Sequence, residues 1–182
     1  MSRPHGMHGF SLIELLIVVA LLSIAAGVAL PGFTRMIENN RIEAQAQTLN
    51  SLLQYARSQA IVRRSSVQLS RDAATSSTPS PEWVVTNLSD NSVLRREQLN
   101  AGHARVLSAG NPNDASVEVK VIYTSSGSVE TADNLVICQG DKLAFAYLIA
   151  IQPSGSTRLM PRGKSDMKET PLDPATWKGC AL

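Results

Sequence analysis

The side chains with the most specific chemical potential lie near the N-terminus, where a glycine, an aromatic residue and one carboxylate precede a long apolar run. The order is Gly9-Phe10-Ser11-Leu12-Ile13-Glu14, followed by an uncharged stretch over residues 15–34. A carboxylate at the start of a membrane-length apolar helix is costly to bury. Translocon-type scales give a free-energy cost of roughly 2.5–3.5 kcal/mol for an Asp at the middle of the bilayer. Glu14 therefore indicates pairing with a cationic group.

The segment before this run is typical of a short leader retained in the cytoplasm. Residues 1–9 contain one arginine, two histidines and no acid, in keeping with the positive-inside tendency. A secretory signal cleaved at the small residues 25–27 is the alternative. Against it, Glu14 lies within the apolar region, which continues directly into an amphipathic segment. We expect cleavage after Gly9, so that the apolar helix stays in the mature protein.

The segment 9–16 followed by Pro31 resembles the class III signal of type IV pilins and type II secretion pseudopilins. In that family a membrane peptidase cleaves after the glycine and methylates the new N-terminal residue, here Phe10. The resemblance implies that Glu14 meets the α-amine of Phe10 on a neighbouring subunit, and that Pro31 loosens or kinks the helix. It also implies as partners the prepilin peptidase, an inner-membrane assembly platform, and other minor and major pilins or pseudopilins.

The apolar run is long enough to span a bilayer, which takes about 20 residues. Beyond it, apolar residues recur on one face of a helix, namely Leu49, Leu52, Leu53, Ala56 and Ala60. We predict one helix over about 10–62, closed by Arg63-Arg64. The expected organisation is a leader (1–9), a transmembrane and assembly helix (10–34), an amphipathic half of the stem helix (35–64) and a β-rich globular head (65–182).

The head shows short strand-like segments separated by turn residues. The predicted strands are 67–69, 82–85, 93–99, 105–107, 117–121, 135–138 and 144–151. The last is continuously apolar, which predicts a central strand buried on both faces. Residues 153–182 are expected to form loop. The predicted fold class is α+β, with a long N-terminal α-helix, transmembrane in its first half, packed against an antiparallel β-sheet head.

Three further segments resemble the GspH/FimT family of minor pilins and pseudopilins, namely Ile122-Tyr123-Thr124-Ser125-Ser126-Gly127, residues 135–138 and residues 149–158. Members usually end the last of these strands with glycine-arginine-x-arginine, whereas this chain has Gly155-Ser156-Thr157-Arg158. In some members the basic ending is tied to DNA binding during uptake. By that resemblance Arg158, Arg162 and Lys164 are candidate weak DNA contacts, although nearby acids offset much of their charge.

The chain has two cysteines, Cys138 and Cys180, both in the part predicted to lie outside the cytoplasm. An even count in an oxidising compartment favours one disulfide. The alternatives are two free thiols, or a zinc site that would have only His103 as nitrogen ligand after loss of the leader.

The composition argues against other classes of function. The net charge is only +2 and aromatic residues make up 4%, which argues against a nucleic-acid surface. No Gly-x-Ser-x-Gly elbow, phosphate-binding glycine loop or Cys-x-x-Cys motif occurs in the sequence, so we predict neither catalysis nor a cofactor.

The favoured interpretation is a minor type IV pilin that primes or caps pilus assembly. The alternatives are an H-type pseudopilin of a type II secretion system, a DNA-binding pilin for DNA uptake, and a major, fibre-forming pilin. The expected location is the bacterial inner membrane, as a single-pass protein with its head in the periplasm, and then the pilus or pseudopilus.

Overall fold

A computed structural model describes residues 11–72, 82–99, 104–114, 117–140 and 143–180, without the side chains at 28–32, 34 and 35. The predicted leader, together with Phe10 and His103, lies outside the described residues. The chain divides into two compact units, Met1–Glu38 and Asn39–Leu182.

A single helix, α1 (Leu12–Arg63), supplies residues to both units. It begins where the carbonyl of Ser11 accepts the amides of Glu14 and Leu15 at 3.1 and 3.2 Å. It ends with Arg64 in the left-handed region at φ 52° and the Ser65 amide bonded to the Ala60 carbonyl at 3.3 Å. This is the Schellman arrangement that closes many helices. The predicted helix and its closing arginines are confirmed.

In the part of the chain that the structure describes, no helix has a stretch long and apolar enough to cross a membrane. The backbone of α1 stays helical through Pro31, so the helix is not broken at that residue.

The second unit contains two four-stranded antiparallel sheets. The first has the order β3-β2-β1-β5 and the second the order β4-β6-β7-β8. Their bounds are β1 (Val67–Asp72), β2 (Glu82–Asn87), β3 (Val93–Gln98), β4 (Arg105–Ser108), β5 (Lys120–Tyr123), β6 (Asn134–Cys138), β7 (Tyr147–Ile151) and β8 (Thr157–Leu159).

The apolar face of α1 forms the centre of the main core. The five residues predicted to be buried on that face are all 0% exposed, namely Leu49, Leu52, Leu53, Ala56 and Ala60. They pack with Val67 and Leu69 of the first sheet and with Leu135 and Ile137 of the second. The helical spacing of the apolar residues thus predicts the buried face correctly.

A second, smaller core lies on the opposite face of the second sheet. Neighbouring residues of a strand point to opposite faces. Leu135 and Ile137 accordingly join the main core, while Val136 and Cys138 pack with Trp177 of the C-terminal segment. The same alternation in β7 explains its continuous apolarity, and β7 is an inner strand as predicted.

Two strand predictions and one loop prediction need correction. Residues 143–145 form a 3₁₀ turn, closed by the Ala146 amide on the Leu143 carbonyl at 3.0 Å, so β7 begins only at Tyr147. Likewise, β5 begins at Lys120 rather than at Val117, because the side chain of Arg71 donates to the Val117 carbonyl. The C-terminal segment is not all loop, since it contains β8 and a 3₁₀ turn at Lys178–Cys180.

Candidate functional site

The first turns of α1 display apolar side chains to solvent on every side. The large apolar residues between Leu12 and Ile24 are 43–76% exposed. Glu14 lies in the first turn and is also exposed. A carboxylate in the first turn is favourably placed, because the helix dipole is positive at that end.

Such a segment is unstable in water unless something covers it, since each buried large apolar side chain gains about 1.5–3 kcal/mol. In surroundings of low dielectric constant, Glu14 would attract a cationic group strongly. Gly9 and Phe10, which the sequence predicts as the cleavage point and the methylated residue, lie outside the described residues. The pairing of Glu14 with the Phe10 amine therefore stays a prediction.

The predicted disulfide is confirmed. Cys138 and Cys180 are bonded, their Cα atoms are 5.9 Å apart, and they are 42 residues apart in sequence. Both are almost fully buried in the smaller core, where Trp177 and Leu172 cover the outer face of β6 and β7. The bond thus attaches the C-terminal segment to the centre of the second sheet. No cysteine is left free.

The three candidate DNA contacts occupy different settings. Arg158 is exposed on the edge strand β8. The guanidinium of Arg162 lies over the ring of Phe145, 5.4 Å from its centroid. Lys164 is half-buried, and its backbone pairs with Pro171. Of the three side chains, that of Arg162 thus makes a contact within the chain, whereas the contact of Lys164 is made by its backbone.

An arginine that sequence reasoning missed connects the two sheets. Arg57 of α1 donates from Nε to the Gly127 carbonyl at 2.9 Å, in the turn after β5, and from Nη2 to the Ser154 carbonyl at 3.0 Å, in the turn between β7 and β8. Gly155 has φ +78°, and a Cβ there would overlap the Gly127 carbonyl oxygen. The glycines of these two turns were the only sequence signal for this contact, and they mark the turns rather than Arg57 itself.

An open groove of about 340 Å³ lies beside Arg57. Its lining residues are Gln54, Arg57, Ser58 and Ile61 of α1, and Gly155, Ser156 and Thr157 of the β7–β8 turn. The Thr157 Oγ1 atom is buried and has no hydrogen-bond partner, and the same holds for the hydroxyl of Tyr123. Burial raises the pKa of Tyr123, while the positive charge of Arg57 opposes that shift.

The described residues contain no cluster of three or more histidine, cysteine, aspartate or glutamate side chains that could hold a metal ion. The arrangement instead offers an exposed apolar helix with one carboxylate, a disulfide-anchored C-terminus, and a groove with one cation. These features suit association with other molecules.

Comparison with known proteins agrees with this geometry. Residues 45–155 match the family described as type II transport protein GspH, and residues 5–30 match the prokaryotic N-terminal methylation motif. No curated protein sequence matches the chain.

Two crystal structures of the type IV minor pilin FimU from Pseudomonas aeruginosa strain PAO1 are similar in fold. One, in space group P21, is 24% identical and covers 71% of this chain and 96% of that chain, with a TM-score of 0.55. The other, in space group P65, is 23% identical and covers 69% of this chain and 97% of that chain, with a TM-score of 0.52. The family match spans more than half of the sequence, and the chain therefore belongs to the type II transport protein GspH family.

Proposed function

We propose that this chain is a minor type IV pilin, a structural subunit that primes or caps pilus assembly through its N-terminal helix. The observation that supports this proposal most strongly is the exposed apolar segment of α1, with the single carboxylate Glu14 in its first turn. The matched N-terminal methylation motif, which implies a membrane-anchored subunit, and the FimU-like fold support the proposal.

In this mechanism the apolar segment lies in the inner membrane before assembly and among equivalent helices of other pilins afterwards. The head is placed in the periplasm, where the Cys138–Cys180 bond can form and persist. The prepilin peptidase cleaves after Gly9 and methylates Phe10, and the new amine then neutralises Glu14 of a neighbour. The role of the chain is structural rather than catalytic.

A type II secretion pseudopilin is the second candidate, because the matched family is described as a type II transport protein. Both candidates assemble through the same helix chemistry, so the helix itself cannot separate them. The phenotype of a gene deletion can. Deletion of the gene should abolish surface pili, and the full-length chain should restore them while secretion of folded exoproteins stays normal. Loss of secretion with normal pili would favour the pseudopilin and reject the pilin.

The abundance of the subunit tests the minor role. Pili sheared from the cells should contain this chain at a small fraction of the amount of the main fibre subunit, as measured by quantitative immunoblot. Equal amounts would indicate a major pilin, and absence from the sheared pili would contradict incorporation.

A further inference from the structure

The positive charge of Arg57 lacks a counter-charge in the part of the chain that the structure describes. Its two hydrogen bonds, to the carbonyls of Gly127 and Ser154, are to neutral acceptors. The ion pairs among the described residues involve other side chains. A half-buried guanidinium without an anion is in an unfavourable setting, because partial removal from water is not offset by a neighbouring carboxylate.

The structure also fixes the orientation of this guanidinium. The two carbonyl groups hold Nε and Nη2, and Gly127 and Gly155 leave room for the side chain, since a Cβ at either glycine would lie within 3.4 Å of Arg57 Nε. The clamp uses only part of the guanidinium, which has five N–H donors. The remaining donors have no acceptor among the described residues.

Arg57 is the main source of hydrogen-bond donors in this groove. The hydroxyls of Ser58 and Ser156 in its lining already donate, to the Tyr55 carbonyl at 2.8 Å and to Gln152 Oε1 at 3.0 Å. The Oγ1 atom of Thr157 has no partner, but it is buried and out of reach of a ligand. No acidic side chain lines the groove.

We propose that this groove binds a carboxylate group, with the guanidinium of Arg57 as its counter-charge and its hydrogen-bond donor. Arginine is suited to this task because its planar fork matches a carboxylate and forms strong charge-assisted hydrogen bonds. The carboxylate is either an acidic side chain of a neighbouring subunit, which rests on the proposed pilin function, or a free small organic acid.

Titration of the full-length chain in detergent micelles with acetate, at ionic strength held constant with chloride, tests the site. The expected result is a saturable shift of the Arg57 Nε–H signal and of the Ser156 and Thr157 amide signals in ¹H–¹⁵N spectra. A shift that does not saturate, or that chloride alone reproduces, would overturn the proposal.

An isosteric substitution supplies the carboxylate within the chain itself. Gln54→Glu places an acid in the groove, three residues before Arg57 on the same helix, where such pairs attract. We expect it to weaken acetate binding by about tenfold or more. The matched change Gln59→Glu lies on the same helix outside the groove lining and should leave binding unchanged. Equal binding by both variants would overturn the assignment.

Incorporation into sheared filaments distinguishes the two sources. If the carboxylate belongs to a neighbouring subunit, Gln54→Glu should lower incorporation several-fold while Gln59→Glu does not. If incorporation is unchanged while acetate binding is lost, the ligand is a free acid. A wild-type chain that is absent from filaments would remove the pilin proposal without affecting the titration.

Discussion

The Nε atom of Arg57 donates to the Gly127 carbonyl oxygen at 2.9 Å and thereby ties α1 to the turn that follows β5. The same side chain bonds the Ser154 carbonyl in the second sheet at 3.0 Å. Hydrogen bonds with a charged donor contribute about 1.5–3 kcal/mol each. One side chain of the helix thus holds together turns that belong to different sheets.

Gly155→Ala should disrupt this contact. Gly155 and Gly140 both have positive φ, but only at Gly155 would a Cβ overlap a backbone carbonyl, whereas nothing lies within 4 Å at Gly140. Gly140→Ala is therefore the matched control for backbone strain alone, about 1–2 kcal/mol. We expect Gly155→Ala to lower the free energy of unfolding by about 1–3 kcal/mol more than the control. Chemical denaturation followed by tryptophan fluorescence measures both, and equal losses would contradict the close approach.

Leu53→Ala tests the main core. Leu53 is 0% exposed on the buried face of α1, and Leu→Ala changes at such sites cost about 2–5 kcal/mol. The control is Val62→Ala on the same helix, at 76% exposure, which should change the free energy of unfolding by less than about 0.5 kcal/mol. A similar loss for both variants would mean that this face of the helix is not packed on the sheets.

Helical spacing and apolar runs identify much of this fold from sequence. The face containing Leu49 and Leu53 is buried as predicted, because the 3.6-residue period directly reflects which side of a helix packs. The disulfide between Cys138 and Cys180 also follows from the even count and the expected compartment.

Features that depend on distant contacts could not be found in this way. The 3₁₀ turn before Tyr147 is apolar like the strand it precedes, so periodicity cannot separate the two. Val117 continues an alternating pattern, yet its carbonyl is bonded by Arg71, a residue far away in sequence. Arg57 has no local signal at all, since its partners are carbonyl groups brought near only by the completed fold.

Removal of the disulfide should destabilise the second unit. Because the bond closes a separation of 42 residues, the chain-entropy relation predicts a loss of about 4 kcal/mol in the free energy of unfolding for Cys138→Ser/Cys180→Ser. Reduced wild-type protein should behave like the double variant, and the variant itself should not respond to reductant. A melting temperature that is the same with and without the bond would contradict its structural role.

Glu14→Gln tests the charge pairing during assembly. The variant should still be processed and inserted, since the apolar segment is unchanged, but its incorporation into filaments should fall at least about tenfold because the partner amine is left unpaired. Glu38→Gln removes an exposed acid from the same helix beyond the apolar run and should have no effect. Immunoblots of sheared filaments and of membranes compare the two variants, and wild-type incorporation of Glu14→Gln would show that the pairing is unnecessary.

The most direct test of the account is the mass and N-terminal sequence of the native protein purified from membranes or filaments. The account predicts a chain that begins at Phe10, carries one methyl group on its α-amine and retains the whole apolar segment of α1. An intact leader, or a chain that begins near residues 25–27 after loss of the apolar segment, would contradict it.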